Sequence, residues 1–238
     1  IDVILNVCSV FFLVYLIGYS TFLFASVVAG ASALYQKKRQ ERLKNTLMED
    51  YYVPISIIVP AYNEEVTVVE TVRSLLALDY KLYEIIAVDD GSKDETAAKL
   101  IEAFDMHRIR RPMRRQVPCK RAEFVYECIS EKVSITLVRK ENGGKADALN
   151  MGINVSKFPY FICMDADSML QHDSLARISR PILEYDNIVA VGGTVRPVNG
   201  TQLENGRVNK YRMPRNLLAA MQVLEYDRSF LAARILFD

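Results

Sequence analysis

Lys157-Phe158-Pro159-Tyr160-Phe161-Ile162, followed by Cys163-Met164-Asp165-Ala166-Asp167-Ser168, is the stretch from which the fold is read. The first six residues form an apolar run short enough for a strand, and the segment after Ser168 reads as a helix, so both carboxylates fall at a strand's end. Open α/β sheets bind their ligands there. Two acids flanking one small residue, with no basic neighbour, repel each other unless a cation or a shared proton intervenes. A hard divalent ion bridging diphosphate oxygens would relieve that repulsion. An ordinary acidic turn with solvated carboxylates is the better account of an isolated Asp-x-Asp, because Asp is common in turns. The surrounding sequence decides between the two.

Working upstream, Ile55-Ser56-Ile57-Ile58-Val59 reads as a buried strand halted by Pro60-Ala61-Tyr62-Asn63. Asn63 is placed to cap a helix whose apolar positions Val66, Val69, Val72, Leu75 and Leu76 share a face. A second strand, Glu84-Ile85-Ile86-Ala87-Val88, closes in Asp89-Asp90-Gly91-Ser92, where Ser92 and Glu95 have capping-box spacing for the next helix. Val133 to Val138 is a third strand, followed by Asn142-Gly143-Gly144-Lys145 and a helical stretch from Ala146 to Ile153. A glycine pair at a helix start lets backbone amides approach an anion, and Lys145 adds a point charge. A plain helix-start turn fits the same residues. The Walker A loop is excluded, since it requires Gly where Arg139 stands and Ser or Thr where Ala146 stands.

Downstream, His172 to Tyr185 reads as a helix with Leu175, Ile178, Ile182 and Leu183 inward, and Ile188 to Val195 as a further strand. A last helix from Asn216 puts Leu217, Met221 and Leu224 on one face, which is expected to be core.

The flanks set the context. From Val3 to Tyr35 there is no charged residue, and this exceeds the roughly 20 residues that span a bilayer core. A signal peptide would have an apolar region of only about 7–15 residues. One tilted transmembrane helix is therefore expected, with Lys37-Lys38-Arg39 and the cations that follow as a cytoplasmic flank. The expected division is a membrane helix over 1–36, a basic juxtamembrane linker over 37–54 and a cytoplasmic domain over 55–238 that is incomplete at its C-terminus. The chain begins at Ile1 rather than Met and stops at Asp238 inside a helical pattern, so it reads as a piece of a longer protein.

His107 to Arg121 carries seven Lys or Arg, no acid and two prolines, and regular structure is not expected in it. It is either a solvated loop or a site for anionic lipid headgroups. The net charge of +1 makes no electrostatic case for nucleic acid. Cys8, Cys119, Cys128 and Cys163 lie far apart, which supports neither zinc nor a disulfide framework.

Four successive strand ends thus deliver Tyr62 with Glu64, Asp89 with Asp90, Lys145, and Asp165 with Asp167. Parallel topology would bring them to one edge, where an aromatic ring, acids, a cation and paired carboxylates suit a nucleoside diphosphate. Ser56 to Glu64, Val88 to Ser92, Asn142 to Asn150 and Asp165-Ala166-Asp167 resemble the ordered motifs of the family-2 inverting glycosyltransferases. The likeness is greatest to membrane-embedded synthases of the hyaluronan, chitin-oligosaccharide, poly-N-acetylglucosamine and cellulose type.

The resemblance implies a Rossmann-like α/β domain of GT-A type in the bacterial inner membrane, taking a UDP-sugar and passing the sugar to a saccharide or lipid-linked acceptor. It implies that Ala61, Tyr62 and Glu64 hold the nucleoside, that Asp89 or Asp90 contacts uracil, and that Lys145 approaches the diphosphate. Asp165 and Asp167 would bind phosphate and Mg²⁺ or Mn²⁺, with Asp167 the more direct ligand. The family's base lies in a later acidic motif, and processive members add Gln-x-x-Arg-Trp. Neither motif occurs in these 238 residues, which contain no Trp. The stretch is expected to carry a donor site without its catalytic base and to be inactive alone. Transfer of a single sugar to a lipid-linked acceptor, or a non-catalytic membrane-anchored module that binds nucleotide or a partner, stands beside polysaccharide synthesis.

Overall fold

A computed structural model describes residues 2–44, 52–130, 133–185, 187–195, 202–204, 207–210 and 213–229. They fall into two units, one of which comprises residues 52–192 and 203–209. Its centre is a six-stranded sheet in the order β3-β4-β5-β2-β1-β6. The strands are β1 (Ile55–Ala61), β2 (Tyr83–Asp89), β3 (His107–Ile109), β4 (Ala122–Ser130), β5 (Val133–Lys140) and β6 (Tyr160–Cys163). β5, β2, β1 and β6 run parallel, whereas β4 is antiparallel to both β5 and β3. β1, β2 and β5 read as near-continuous apolar runs because both of their faces are covered, whereas β6, at the sheet's edge, leaves Tyr160, Phe161 and Cys163 exposed.

Alternation along each strand separates two cores. Ile55, Ile57, Val59, Ile85, Ala87, Ile135 and Leu137 pack on one face with α2 (Val68–Leu76), α3 (Thr96–Ala103) and Leu175 of α5 (Ser174–Glu184). Ile58, Ile86, Val88 and Val138 pack on the other with Ala148, Met151 and Val155 of α4 (Lys145–Val155). With both faces apolar, alternation alone does not fix strand register. The Ser56 hydroxyl does: it donates to Glu84 Oε1 at 2.7 Å, directly across the β1–β2 pair, with both side chains buried. A one-residue slip would take that hydroxyl away from a buried carboxylate whose same oxygen otherwise accepts, among the described residues, only from the Lys157 amide.

β1 continues through Pro60 to Ala61 rather than halting at Pro60. The amide of Met164 donates to the Ile58 carbonyl, so Pro60, two residues on, turns its nitrogen toward the β6 side, where pairing has ended. A proline costs no ladder bond there.

α2 begins at Val68, with Thr67 rather than Asn63 before it, and Val66 is exposed. Asn63 instead adopts a left-handed backbone (φ 56°) and accepts from the Lys93 amide. The Ser92–Glu95 capping box does not form. Ser92 Oγ accepts from the Asn63 amide, while Asp94 accepts from the Thr96 amide at the start of α3.

Regular structure enters the basic run as β3, and β4 follows it. Residues 187–195 are not a strand, and Val189 and Val195 are exposed. Helix α5 forms as expected, but Leu183 is exposed and Ser179 takes a buried position.

The second unit comprises residues 1–51, 193–202 and 210–238. It contains α1 (Asp2–Lys44), whose segment Cys8–Ser32 has a mean hydropathy of 2.0 and is long and apolar enough to cross a membrane. Its 25 residues rise about 37 Å at roughly 1.5 Å each, against a hydrocarbon core about 30 Å thick. The unit also contains α6 (Leu217–Arg228), capped by Asn216 Oδ1, which accepts from the amides of Leu218 and Ala219. Leu217, Met221 and Leu224 are exposed rather than core. β7 (Gln202–Glu204) and β8 (Arg207–Lys210) pair with each other.

Candidate active site

Because β5, β2, β1 and β6 are parallel, their C-terminal ends share one edge. The chain reverses direction across the sheet between β1 and β6, which is where such sheets bind ligands. A cavity of about 490 Å³ lies there, lined by Pro60, Ala61, Tyr62, Glu64, Asp90, Asn142, Gly144, Lys145, Ala148, Asp165, Ala166 and Asp167. Of the eight residues singled out from the sequence, seven line it. Asp89 does not.

Each wall has an identifiable local cause. The backbone amides of Asn63, Glu64 and Glu65 donate to the side chains of Ser92, Thr96 and Asp94 and lace the turn after β1 to the turn after β2. They leave Tyr62 half-exposed toward the cavity, while Glu64 accepts from the Thr67 hydroxyl. In the acidic turn, Met164 and Ala166 are buried and Asp165 and Asp167 are exposed. The Thr71 hydroxyl of α2 donates to the Ala166 carbonyl and holds the turn in place. Lys145, the first residue of α4, forms an ion pair with Asp165. Gly144 caps that helix at φ 89°, a conformation that only glycine adopts without strain.

The two acids after β2 have different surroundings. Asp89 is fully buried; one oxygen accepts from the Ser92 amide at 2.9 Å and the other lies 3.6 Å from Arg139 Nε. Asp90 holds the glycine turn. Its carboxylate accepts from the amides of Gly143 (3.0 Å) and Gly144 (2.7 Å), and its carbonyl accepts from the Asn142 side chain. Lys140 lies behind it with no exposed surface. Its ammonium reaches Asp90 at 2.5 Å, Asp147 at 2.6 Å and the Glu141 carbonyl at 2.6 Å, so all three donors are used.

Burial alone would lower the Lys140 pKa, but its bonds to Asp147 and Asp90 outweigh this and raise it above the ordinary lysine value. Burial likewise works to raise the Asp147 pKa, and its bonds to Lys140 and the Lys120 amide more than offset that, leaving it below the usual carboxylate value. Lys140 and Asp147 were not singled out from the sequence. A signal was available for Lys140: it shares the inward face of β5 with Val138, and a charge at an inward strand position requires partners.

Asp165 and Asp167 face one cavity from a single turn, and among the described residues no group of three or more His, Cys, Asp and Glu could hold a metal. Such a pair suits an ion such as Mg²⁺ that keeps water and takes the rest of its oxygens from substrate phosphates, and does not form an all-protein cage.

An acidic pair, a cation and an aromatic ring thus meet around one cavity at the strand ends of an α/β domain. The sequence model of Glycosyl transferase family 2 matches residues 56–117 and 121–232, and the chain belongs to that family. It is 32% identical to a poly-beta-1,6-N-acetyl-D-glucosamine synthase of Staphylococcus aureus (strain COL) over 120 residues, 50% of this chain and 23% of that protein. It is 30% identical to the synthase of the same name from Staphylococcus epidermidis over 149 residues, 63% of this chain and 30% of that protein. The matched stretch thus spans less than a third of these relatives.

Among solved structures, the crystal structure of S. aureus TarS residues 1–349 is 19% identical with a TM-score of 0.42, covering 63% of this chain and 42% of that one. The mannosyltransferase PcManGT from Pyrobaculum calidifontis, in complex with GDP-Man and Mn²⁺, is 22% identical with a TM-score of 0.45, covering 74% and 48%.

Proposed function

We propose that the whole protein is a membrane-bound inverting glycosyltransferase that passes a sugar from a UDP-sugar to a growing polysaccharide. The observation that carries this is the convergence of Tyr62, Glu64, Lys145, Asp165 and Asp167 on one cavity at the ends of parallel strands. The relatives named as poly-beta-1,6-N-acetyl-D-glucosamine synthases support a polymeric product and an N-acetylhexosamine donor. Ala61, Tyr62 and Glu64 form the nucleoside end of the cavity, with the Tyr62 ring available for stacking. Asp90 lines the cavity with Asn142 and Gly144 and holds that wall through the Gly143 and Gly144 amides, while Asp89 braces the turn after β2 through the Ser92 amide.

Lys145 and Asp165 pair with each other and are thereby held in place for the donor. Asp165 and Asp167 would hold Mg²⁺ or Mn²⁺, and Lys145 would approach the diphosphate oxygens. Such an ion, when bound, would supply Lewis-acid stabilisation of the UDP leaving group. Asp90 and Lys140 keep the glycine turn, and with it the start of α4, fixed. In this reading the apolar helix is the anchor in the bacterial inner membrane, and its basic flank supports a cytoplasmic domain. In membranes containing the full-length protein, radiolabelled UDP-N-acetylhexosamine should enter polymer, and Asp167→Ala should reduce incorporation to background. Undiminished incorporation by that variant would contradict the site.

A further inference from the structure

A second cavity, of about 660 Å³, lies away from the donor site at the β3–β4 edge of the sheet, between residues 108–113 and 122–125. The local sequence explains its charge. β3 alternates so that Ile109 packs into the core beside α4, while Arg108 and, continuing the alternation, Arg110 point to the opposite face. The pairing of Arg108 with Tyr126 and of Ile109 with Val125 puts Phe124 on the same face as the two arginines. The Arg108 guanidinium sits over the Phe124 ring at 4.3 Å, which fixes its plane.

The segment is pinned by Arg111, which donates to the Thr136 hydroxyl at 3.0 Å and to the Val155 carbonyl at 2.7 Å, and lies 3.9 Å from both Glu84 and Glu127. One acid lines the cavity, Glu123, and Arg139 stands 4.0 Å from it. Arg108 and Arg110 are exposed, and the guanidinium fork matches the geometry of phosphate oxygens. Pro112, Met113 and Val125 give the cavity an apolar side next to this positive edge.

We propose that this cavity is a binding site for a phosphate group, separate from the donor site, with Arg108 and Arg110 as its ligands and Phe124 as the support that orients Arg108. The group can come from an anionic phospholipid headgroup or from a soluble phosphate. The proposal does not depend on the glycosyl-transfer reading.

The test is hydrogen–deuterium exchange on the full-length protein in bilayer discs. In phosphatidylcholine discs, added inorganic phosphate or pyrophosphate should slow exchange in 108–113 and 122–125 if the source is soluble. In discs containing phosphatidylglycerol, the same segments should be slowed without added phosphate if the source is lipid. The Arg108→Gln/Arg110→Gln double variant should lose the protection, while exchange in β1 and β2 stays at the wild-type rate and reports an intact fold. Protection in neither arm, or equal protection in the double variant, would overturn the proposal.

Discussion

Lys140 has no exposed surface, yet it holds two carboxylates from different elements, Asp90 after β2 and Asp147 in α4. Near the ordinary carboxylate pKa of about 3.9, the folded chain binds fewer protons at Asp147 than the unfolded chain does, because the folded value is depressed. Stability therefore rises with pH in that region. Asp147's contribution is fully present above the unfolded pKa and is lost as pH falls through the folded one. Lys140 has the opposite sign: its folded pKa is raised, so its contribution is fully present below about 10.4 and is lost as pH climbs through the folded value. Urea midpoints measured across the acid range should show a shallower slope for Asp147→Asn than for wild type. Identical slopes would mean that the pair contributes nothing to acid sensitivity.

Residue by residue, the site was largely legible in the sequence because strand-end motifs are local: Tyr62, Glu64, Asp90, Lys145, Asp165 and Asp167 line one cavity. The separate surroundings of Asp89 and Asp90 were not legible. They depend on Arg139 and Lys140, about fifty positions further along the chain.

At the scale of elements, helix α4 meets β1 at Gly152. A Cβ built there would overlap Cγ2 of Ile58, a branched side chain with no room to swing away. Gly152→Ala should gain up to about 1 kcal/mol of helix propensity but lose roughly 1–3 kcal/mol to overpacking. The packing loss prevails, so a lowered urea midpoint is expected, and a raised one would show that the helix can lift off the strand at little cost.

β1, β2 and β5 were legible because burial on both faces produces short apolar runs. β4 was not, since Glu123 and Glu127 interrupt a half-buried strand whose apolar side depends on its neighbours. The start of α2 was misplaced because the partners of Asn63, Ser92 and Lys93, belong to the next βα turn. Ile188–Val195 has a strand's composition, but nothing in its own residues shows that the sheet's edges are already β3 and β6.

For the whole molecule, the apolar helix and the donor cavity lead to separate expectations. Cys8–Ser32 with its basic flank predicts one span, with the sheet domain in the cytoplasm. Protease added to intact spheroplasts should leave the domain whole, and its digestion there would reverse the orientation. The donor cavity predicts that two carboxylates and a diphosphate hold the metal together, so neither ligand should bind well without the other. Calorimetric titration of UDP into the full-length protein, with Mg²⁺ and again with a chelator, tests this most directly. UDP affinity should fall sharply in chelator, and Asp167→Ala with Mg²⁺ should match chelated wild type; equal affinity for UDP in the two buffers would contradict the metal-assisted donor site.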